Sequence, residues 1–451
     1  MSKLMVSVSG IRGIVGDSLT PNVIMDYVSA FAKYCGGGPI VVGRDTRPTG
    51  EAIMNLVCST LNMCGVDVIC VGIATTPTIE MGVKLYEAAG GIAITASHNP
   101  IEWNALKFFD KDTLFLDEVE GEKLQSILKS RDFNFVDYKE MGSTKYEYDE
   151  VKNYHIRSVL DLPYLNKGAI RKKGFKVVVD CVNGAGYEII PEILEDLGCT
   201  VHRMFCEPTG EFPHGAEPLP ENLTDICEVI KNGNYDLGMV VDPDSDRLAL
   251  ISDGGEPLGE EYTLAMVTDL ILSKVETDVC VNISTSRAVD DICKKYNRKL
   301  YKAKVGEVNV SKKMLKNGCI IGGEGNGGVI LPEIHPGRDA VVGVALILQY
   351  LLEKESFITD VFNELPQYSI SKNKLQLENL DYDKIIGSLV EGVEPDKISR
   401  LDGVRIDKED HWIQIRKSNT EPIARIFVEA ETKEKAEKIY EEYISKINTS
   451  I

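Results

Sequence analysis

Short apolar runs alternate with amphipathic segments along most of the chain. In the first stretch, apolar runs at 39–43, 66–73 and 90–95 are separated by helical patterns at 51–63 and 77–89. Apolar residues on both faces of a strand are typical of a sheet that helices cover on both sides. The pattern therefore predicts a βαβαβ unit.

The same alternation returns twice further along the chain. A second unit combines an apolar run at 175–180, a helix at 185–197 and an apolar run at 237–242, and a third combines a helix at 260–274 with a strand at 319–323. We therefore predict an α/β fold class with three topologically similar α/β/α domains built on mixed sheets.

The tail from about residue 366 has a different pattern. Its strands near 411–416 and 423–430 lie close together in the sequence, and a helix rich in Lys and Glu follows at 433–447. This order predicts a smaller C-terminal α+β domain. The polar segment 131–150 is the expected first linker. The predicted domains span residues 1–150, 151–254, 255–365 and 366–451.

Composition narrows the range of partners. The 451 residues carry a formal net charge of −20, which argues against nucleic acid or a membrane as a partner, because both attract basic surfaces. A small anionic substrate is compatible, because a local arginine cluster can bind it. The N-terminus lacks the apolar core of a signal peptide, and no run reaches the roughly 20 apolar residues of a membrane span. The 11 cysteines form no paired C-x-x-C motif, which favours free thiols in a cytoplasmic protein.

A serine next to a histidine follows the third apolar run. Residues 95–100 read Thr-Ala-Ser-His-Asn-Pro, so that Ser97 and His98 lie on the turn at the carboxyl end of a strand. Ligands of open α/β sheets bind at that edge, and a hydroxyl beside an imidazole there is a candidate nucleophile. The alternative is an ordinary turn with a hydrogen-bonded histidine.

Three aspartates alternate after the strand at 237–242. Asp242, Asp244 and Asp246 would repel one another unless a cation neutralises them, and hard oxygen ligands suit Mg²⁺ or Ca²⁺. An EF-hand does not fit, because Arg247 stands where its loop needs glycine. The alternative is a solvated acidic turn.

Glycines dominate residues 322–328, which follow another apolar strand. Glu324 and Asn326 offer an acceptor and a mixed donor and acceptor to vicinal sugar hydroxyls. The segment is not a P-loop, since no Gly-Lys-Ser/Thr follows, and it opens no helix. Taken alone, it also fits a simple hairpin.

The tail carries a polar turn between its two strands. Residues 416–422 read Arg-Lys-Ser-Asn-Thr-Glu-Pro, and Arg425 follows. Hydroxyl, amide and guanidinium groups together can bind an oxyanion. A capped hairpin turn would have a similar composition.

These four segments, in this order, resemble the phosphoserine, metal-binding, sugar-recognition and phosphate-binding loops of the α-D-phosphohexomutases. That family comprises phosphoglucomutase, phosphomannomutase and phosphoglucosamine mutase. The segment Ser9–Ile14, with Arg12, resembles the opening motif of the family, and Lys107 matches its active-site lysine. The resemblance covers nearly the whole chain.

The resemblance implies an isomerase that moves phosphate between C6 and C1 of a hexose or hexosamine phosphate. Ser97 would carry the phosphoryl group, and a sugar 1,6-bisphosphate would be both intermediate and activator. A phosphoserine oxygen with Asp242, Asp244 and Asp246 would bind Mg²⁺. The remaining implied roles are positive charge from Arg12, Lys107 and Arg247, a proton shuttle at His98, sugar binding by Glu324 and Asn326, and phosphate binding by Arg416, Ser418, Asn419, Thr420 and Arg425.

The chain departs from the family pattern at a few positions. Pro243 and Ser245 replace the usual glycines between the aspartates, and Asn326 and Gly328 stand where one common version of the sugar loop has serine and histidine. His335, seven residues on, has no assigned role. Two further segments resemble family positions that line the cleft: Arg287 and 304–306.

The sequence does not decide which sugar phosphate is the substrate. Glucosamine 6-phosphate, converted to glucosamine 1-phosphate, is the favoured substrate, and a phosphomannomutase/phosphoglucomutase is the alternative. A metal-dependent sugar phosphatase or a noncatalytic sugar-phosphate binding protein is less favoured. Monomer and homodimer are equally compatible with the sequence.

Overall fold

The computed structural model describes residues 3–377, 381–417 and 423–450, with side chains through Ile447. The first unit is a seven-stranded mixed sheet of order β1-β2-β6-β5-β3-β4-β7. The strands β3, β4, β5 and β7 form its parallel part, and the others join antiparallel. Its elements are β1 (Met5–Ser7), β2 (Gly10–Ile14), α1 (Pro21–Cys35), β3 (Ile40–Arg44), α2 (Gly50–Met63), β4 (Val68–Ile73), α3 (Thr76–Leu85), β5 (Gly90–Ile94), β6 (Trp103–Asp110), α4 (Glu118–Ser130) and β7 (Thr144–Tyr146).

The second unit is a four-stranded sheet of order β11-β10-β8-β9, in which only β11 is antiparallel. Its elements are α5 (Tyr148–Leu160), α6 (Lys167–Lys173), β8 (Lys176–Asp180), α7 (Ile189–Asp196), β9 (Thr200–Met204), α8 (Thr224–Lys231), β10 (Leu237–Val241) and β11 (Leu248–Ile251).

The third unit is a five-stranded mixed sheet of order β13-β12-β14-β15-β16. Its elements are α9 (Glu261–Lys274), β12 (Val279–Asn282), α10 (Arg287–Lys295), β13 (Leu300–Ala303), α11 (Glu307–Asn317), β14 (Ile321–Glu324), β15 (Gly328–Leu331), β16 (His335–Arg338), α12 (Ala340–Lys354) and α13 (Ile358–Glu364).

The fourth unit is an antiparallel sheet of order β17-β21-β20-β19-β18 with two helices. Its elements are β17 (Ser369–Gln376), α14 (Tyr382–Val390), β18 (Ile398–Ser399), β19 (Val404–Asp407), β20 (His411–Lys417), β21 (Ile423–Ala430) and α15 (Lys433–Ser450). The predicted fold class is thus confirmed: three α/β/α units with mixed sheets precede a smaller α+β unit.

The second and third units share one hydrophobic core. The helix α12 lies in it and is buried from Ala340 through Leu351. It packs against α7 of the second unit and α9 of the third. A helix that is apolar all round must be covered on every side, which explains its central place. Among the described helices, none combines the length and apolar character that crossing a membrane requires.

Three sequence predictions need correction. The segment 131–150 is not simply a linker, because Thr144–Tyr146 pairs in parallel with β4 at the edge of the first sheet. The side chains of Lys145 and Tyr146 are exposed there, and such polar edge positions do not give a recognisable strand pattern. The predicted helix at 185–197 is broken, since a 3₁₀ turn precedes α7. The helix α5 also crosses the predicted boundary at residue 150.

Candidate active site

Ser97 lies just beyond the end of β5, in a turn that faces the second unit. Its backbone is left-handed, with φ of 49°. Its hydroxyl donates to Oδ2 of Asp242 at 3.1 Å and lies 3.4 Å from Nδ1 of His98. The structure therefore places the predicted nucleophile in direct contact with the predicted metal-binding segment.

A buried arginine holds this turn in place. The guanidinium of Arg47 donates to the carbonyls of Ser97 and Asn99 at 2.7 and 2.6 Å, and its Nε pairs with Asp45 at 3.1 Å. Asp45 also accepts from the hydroxyl of Thr95, which accepts from the amide of Ser97. These bonds fix a backbone that a non-glycine residue adopts only at a cost. Sequence reasoning missed Arg47 and Asp45, although both directly follow β3 at the same sheet edge.

The three aspartates cluster in the loop between β10 and β11. One carboxylate oxygen from each of Asp242, Asp244 and Asp246 lies within 4.8 Å of the others, and all three residues are buried. The Oδ1 atoms of Asp244 and Asp246 have no hydrogen-bond partner. Buried carboxylate oxygens without partners are costly in a protein interior. The donor set and its free oxygens fit a hard divalent cation such as Mg²⁺.

Burial and nearby charges shift the pKa values of Asp242 and Asp244 in opposite directions. Burial, and then the charges of Asp246 and Asp244, raise the pKa of Asp242 well above its ordinary value. Burial would do the same to Asp244, but the ammonium of Lys107, 2.6 Å from its Oδ2, and the hydroxyl of Thr76 at 2.9 Å lower the pKa of that carboxyl. The predicted Lys107 therefore contacts the cluster, whereas Thr76 was not predicted.

Two arginines line the serine side of the cluster. Arg247 lies 3.7 Å from Asp246 and pairs with Glu217 at 2.9 Å, and Arg12 donates to the side chain of Asn99. Burial, with the charges of Arg247 and Arg12, lowers the pKa of His98. His98 is therefore neutral near pH 7. Sequence reasoning did not identify Glu217, which lies in an irregular loop.

The glycine-rich segment brings Glu324 to the same cleft. Its carboxylate accepts from Nδ2 of Asn282 at 2.8 Å and from the amide of Gly306 at 2.9 Å. Burial opposes its ionisation, but Arg338 and these hydrogen bonds lower its pKa, so that it stays an acceptor. Asn326 accepts from an amide of its own loop at 3.3 Å.

Basic residues lie side by side across the C-terminal sheet. Arg416 on β20 is the direct register partner of Arg425 on β21, and Arg425 in turn faces Lys374 on β17. Like charges directly opposite one another destabilise a strand pair, so this row favours a bound anion. Arg416 also lies 3.3 Å from Asp402, which accepts from the amide of Val305. The other predicted phosphate ligands, Ser418, Asn419 and Thr420, lie outside the described residues.

Arg287 lies at the contact between the third and fourth units. Its backbone amide donates to Glu429, and its guanidinium donates to the carbonyls of Lys408 and Glu409.

His335 belongs to a different cluster. Its ring nitrogens lie 2.6 Å from Glu80 and 3.1 Å from Asp339, and Asp339 also accepts from His155 at 2.8 Å. All four side chains are buried where the first three units meet. His335 has no contact with the acidic cluster among the interactions of the described residues.

Profiles of four consecutive domains match the chain. Phosphoglucomutase/phosphomannomutase alpha/beta/alpha domains I, II and III match residues 3–135, 153–255 and 259–368, and the C-terminal domain of the same family matches 375–446.

Relatives of similar length carry two different names. A probable phosphoglucosamine mutase of Methanopyrus kandleri is 32% identical over 97% of this chain and 96% of its own length. A phosphoglucomutase/phosphomannomutase of Thermococcus kodakarensis is 36% identical over 96% of both chains. The fold is similar to that of a phosphoglucomutase/phosphomannomutase family protein from Burkholderia thailandensis, with a TM-score of 0.86, 24% identity and coverage of 99% of this chain and 98% of that one.

The order of the four matched domains and the identity along the full length lead to one conclusion. The chain belongs to the phosphoglucomutase/phosphomannomutase family and is a phosphohexomutase, an enzyme of the isomerase class.

Proposed function

We propose that this enzyme is a phosphoglucosamine mutase that interconverts glucosamine 6-phosphate and glucosamine 1-phosphate through a phosphorylated Ser97 and a sugar 1,6-bisphosphate. The contact of the Ser97 hydroxyl with Asp242 at 3.1 Å carries the proposal. It joins a nucleophile to a set of buried carboxylates suited to a divalent cation, as phosphoryl transfer requires.

Asp242, Asp244 and Asp246 would hold Mg²⁺ together with an oxygen of the phosphorylated serine. The ion supplies charge stabilisation to the transferring phosphoryl group. Lys107, 2.6 Å from Asp244, and Arg247 add fixed positive charge beside the same atoms.

Proton movement centres on His98. When the phosphoryl group leaves Ser97, the P–Oγ bond breaks, a bond forms to the sugar oxygen, and the sugar hydroxyl gives up its proton. The Ser97 oxygen then regains a proton. His98, whose Nδ1 lies 3.4 Å from that oxygen, is the group proposed to relay the proton from the sugar hydroxyl to the serine. The reverse transfer from the other end of the bisphosphate restores phosphoserine.

Substrate binding is divided between two units. Glu324 would accept hydrogen bonds from sugar hydroxyls that are presented in both orientations of the substrate. Arg416 and Arg425 would bind the phosphate that is not reacting. Ser418, Asn419 and Thr420 complete this phosphate site in the proposal. Glucosamine is favoured by the name of the Methanopyrus kandleri relative, and a phosphoglucomutase/phosphomannomutase by that of the Thermococcus kodakarensis relative.

Replacing Ser97 by alanine tests the proposal. We expect the purified enzyme to carry one phosphate at Ser97 by intact and peptide mass spectrometry, and Ser97→Ala to lose both the phosphate and the turnover. Ser130→Ala, at the exposed end of α4, is the matched control. A Ser97→Ala enzyme with full activity would show that another residue carries the phosphoryl group.

Coupled assays with glucosamine, glucose and mannose 6-phosphates then identify the sugar. We expect the highest kcat/KM with glucosamine 6-phosphate and dependence on added sugar 1,6-bisphosphate. The phosphomannomutase/phosphoglucomutase alternative predicts no turnover of glucosamine phosphate, and a phosphatase would instead release inorganic phosphate without the bisphosphate.

A further inference from the structure

One guanidinium connects the acidic cluster with the glycine-rich segment. The side chain of Arg338, at the end of β16, lies 2.6 Å from Oδ2 of Asp246, 2.8 Å from Oε2 of Glu307 and 3.3 Å from Oε2 of Glu324. Each of its three nitrogens therefore has its own carboxylate. A planar guanidinium with N–H groups in fixed directions sets the orientation of the carboxylates that it binds.

The fold leaves a defined space for this side chain. A Cβ built on Gly328 would lie 2.2 Å from Cδ and 2.9 Å from Cγ of Arg338. Real side-chain atoms do not approach so closely, so Arg338 occupies the volume that any side chain at 328 would need. The absence of a side chain at 328 and the position of Arg338 are thus two parts of one arrangement.

The guanidinium retains capacity for a ligand. Two of its five N–H groups donate to Glu307 and Asp246, and Nη1 forms an ion pair with Glu324, so the terminal nitrogens keep N–H groups for a ligand. The side chain is 10% exposed. It therefore reaches the cleft although most of it is buried.

We propose that Arg338 is the substrate-positioning residue of the sugar site: it orients Glu324 toward the sugar hydroxyls and ties it to Asp246 of the acidic cluster, in the space that Gly328 leaves open. This inference rests on the proposed function, because it takes the ligand to be a hexose phosphate. Loss of the guanidinium frees Glu324 on one side while Asn282 and Gly306 still hold it on the other.

The affinity for glucose 6-phosphate, measured by calorimetry on the full chain in the presence of Mg²⁺, tests this role with a readout other than turnover. We expect Arg338→Met to weaken binding by about 10- to 100-fold, since a hydrogen bond involving charged groups is worth about 1.5–3 kcal/mol. Arg338→Lys should weaken it less. The matched control is Arg298→Met, in the same unit, whose guanidinium pairs with the exposed Glu276 at 3.1 Å.

A paired substitution tests the shared space. Gly328→His alone should lose sugar-phosphate binding, because its side chain collides with Arg338. In Arg338→Ala/Gly328→His the volume is free, so binding should recover above that of Gly328→His alone. A Gly328→His enzyme that binds like the unchanged enzyme would overturn the space argument.

The outcomes separate this inference from the proposed function. A folded Arg338→Met or Arg338→Lys enzyme with an affinity within about twofold of the unchanged enzyme would refute the role of Arg338, whatever the reaction is. Unchanged enzyme that binds hexose phosphate but does not isomerise it would refute the proposed function alone. A purely structural role would lower the melting temperature of Arg338→Lys without changing the affinity of the folded protein.

Discussion

The first three units and the fourth unit are joined to the molecule in different ways. The first three meet through buried charged side chains, such as Asp244 with Lys107 and Asp339 with His155. The second and third units also share one hydrophobic core, whereas the fourth has a separate core of its own.

The fourth unit is attached to the third through polar contacts. The hydroxyl of Ser284 donates to Gln414 at 2.6 Å, and the amide of Val305 donates to Asp402 at 3.0 Å. Some contacts between these units are buried, such as the bond from Arg405 to the carbonyl of Ile283, but no hydrophobic cluster of the described residues spans both units. Separating units that share an apolar core is more costly. Ser97 and the acidic cluster therefore lie on the units that are joined by buried charged contacts, two of which also share one hydrophobic core. We expect the fourth unit to move when the sugar bisphosphate of the proposed mechanism rotates between its two orientations.

The largest effect on activity is expected in the first three units. Asp244→Asn removes a charged ligand of the proposed metal site and the partner of Lys107, so kcat should fall by about 100- to 1,000-fold with a smaller change in KM. Steady-state kinetics with glucosamine 6-phosphate measure it, with Asp396→Asn on the fourth unit as the control. Thorough chelation should also abolish turnover until Mg²⁺ is restored, and full activity after chelation would contradict the metal site.

An intermediate effect is expected on the fourth unit. Arg416→Ala should lower kcat/KM by about 10- to 100-fold, mostly through KM, because a charge-assisted contact to phosphate is lost. Lys433→Ala, on the exposed surface of α15, is the control. A change confined to kcat would mean that Arg416 takes part in the chemistry, and the division between the two regions would then be wrong.

The pH dependence of stability should differ between the two regions. Burial would lower the pKa of His335, but the carboxylates of Glu80 and Asp339 raise it to about 10. A raised histidine pKa stabilises the fold fully below its unfolded value of about 6.5, and this stability is lost as pH rises through about 10. In scanning calorimetry, the melting temperature of the first three units should fall by several degrees between pH 6 and pH 10.5. His335→Gln should flatten that slope, and an equal slope in the variant would refute the assignment.

The smallest effect is expected at Lys374, at the edge of the row of basic residues that it forms with Arg416 and Arg425. Lys374 faces Arg425 across β17 and β21, but it is exposed. Screened surface charges contribute about 0.2–1 kcal/mol, so Lys374→Ala should raise KM by no more than about fivefold. Lys384→Ala, on α14, controls for the loss of one charge. A larger effect would mean that the anion lies nearer to β17 than to β20.

The sequence predicted best what depends on strand ends. Ser97, Asp242 and Glu324 each follow or end a strand, and an α/β sheet brings such positions to one edge. The apolar runs located those strands within a few residues. The kinds of residue at each end then indicated the chemistry.

Contacts that depend on how the units pack could not be predicted. Arg338 lies 92 residues from Asp246, and Arg47 lies 50 residues from Ser97. Arg47 and Ser97 follow neighbouring strand ends, but the sequence pattern does not show that the guanidinium reaches the carbonyls of the Ser97 turn. Nothing in the local pattern connects Arg338 with Asp246. The buried cluster of His155, His335 and Asp339 is hidden for the same reason.

The burial of α12 has a consequence for synthesis on the ribosome. The second unit ends near residue 255, but α12, which covers part of its core, ends at Lys354. At about 5–20 residues per second, the intervening segment of about 100 residues takes roughly 5–20 s to make. During that interval the apolar surface of α7 awaits its partner. Nascent chains paused before α12 is made should therefore bind chaperones, whereas chains in which α12 has emerged from the ribosome should not.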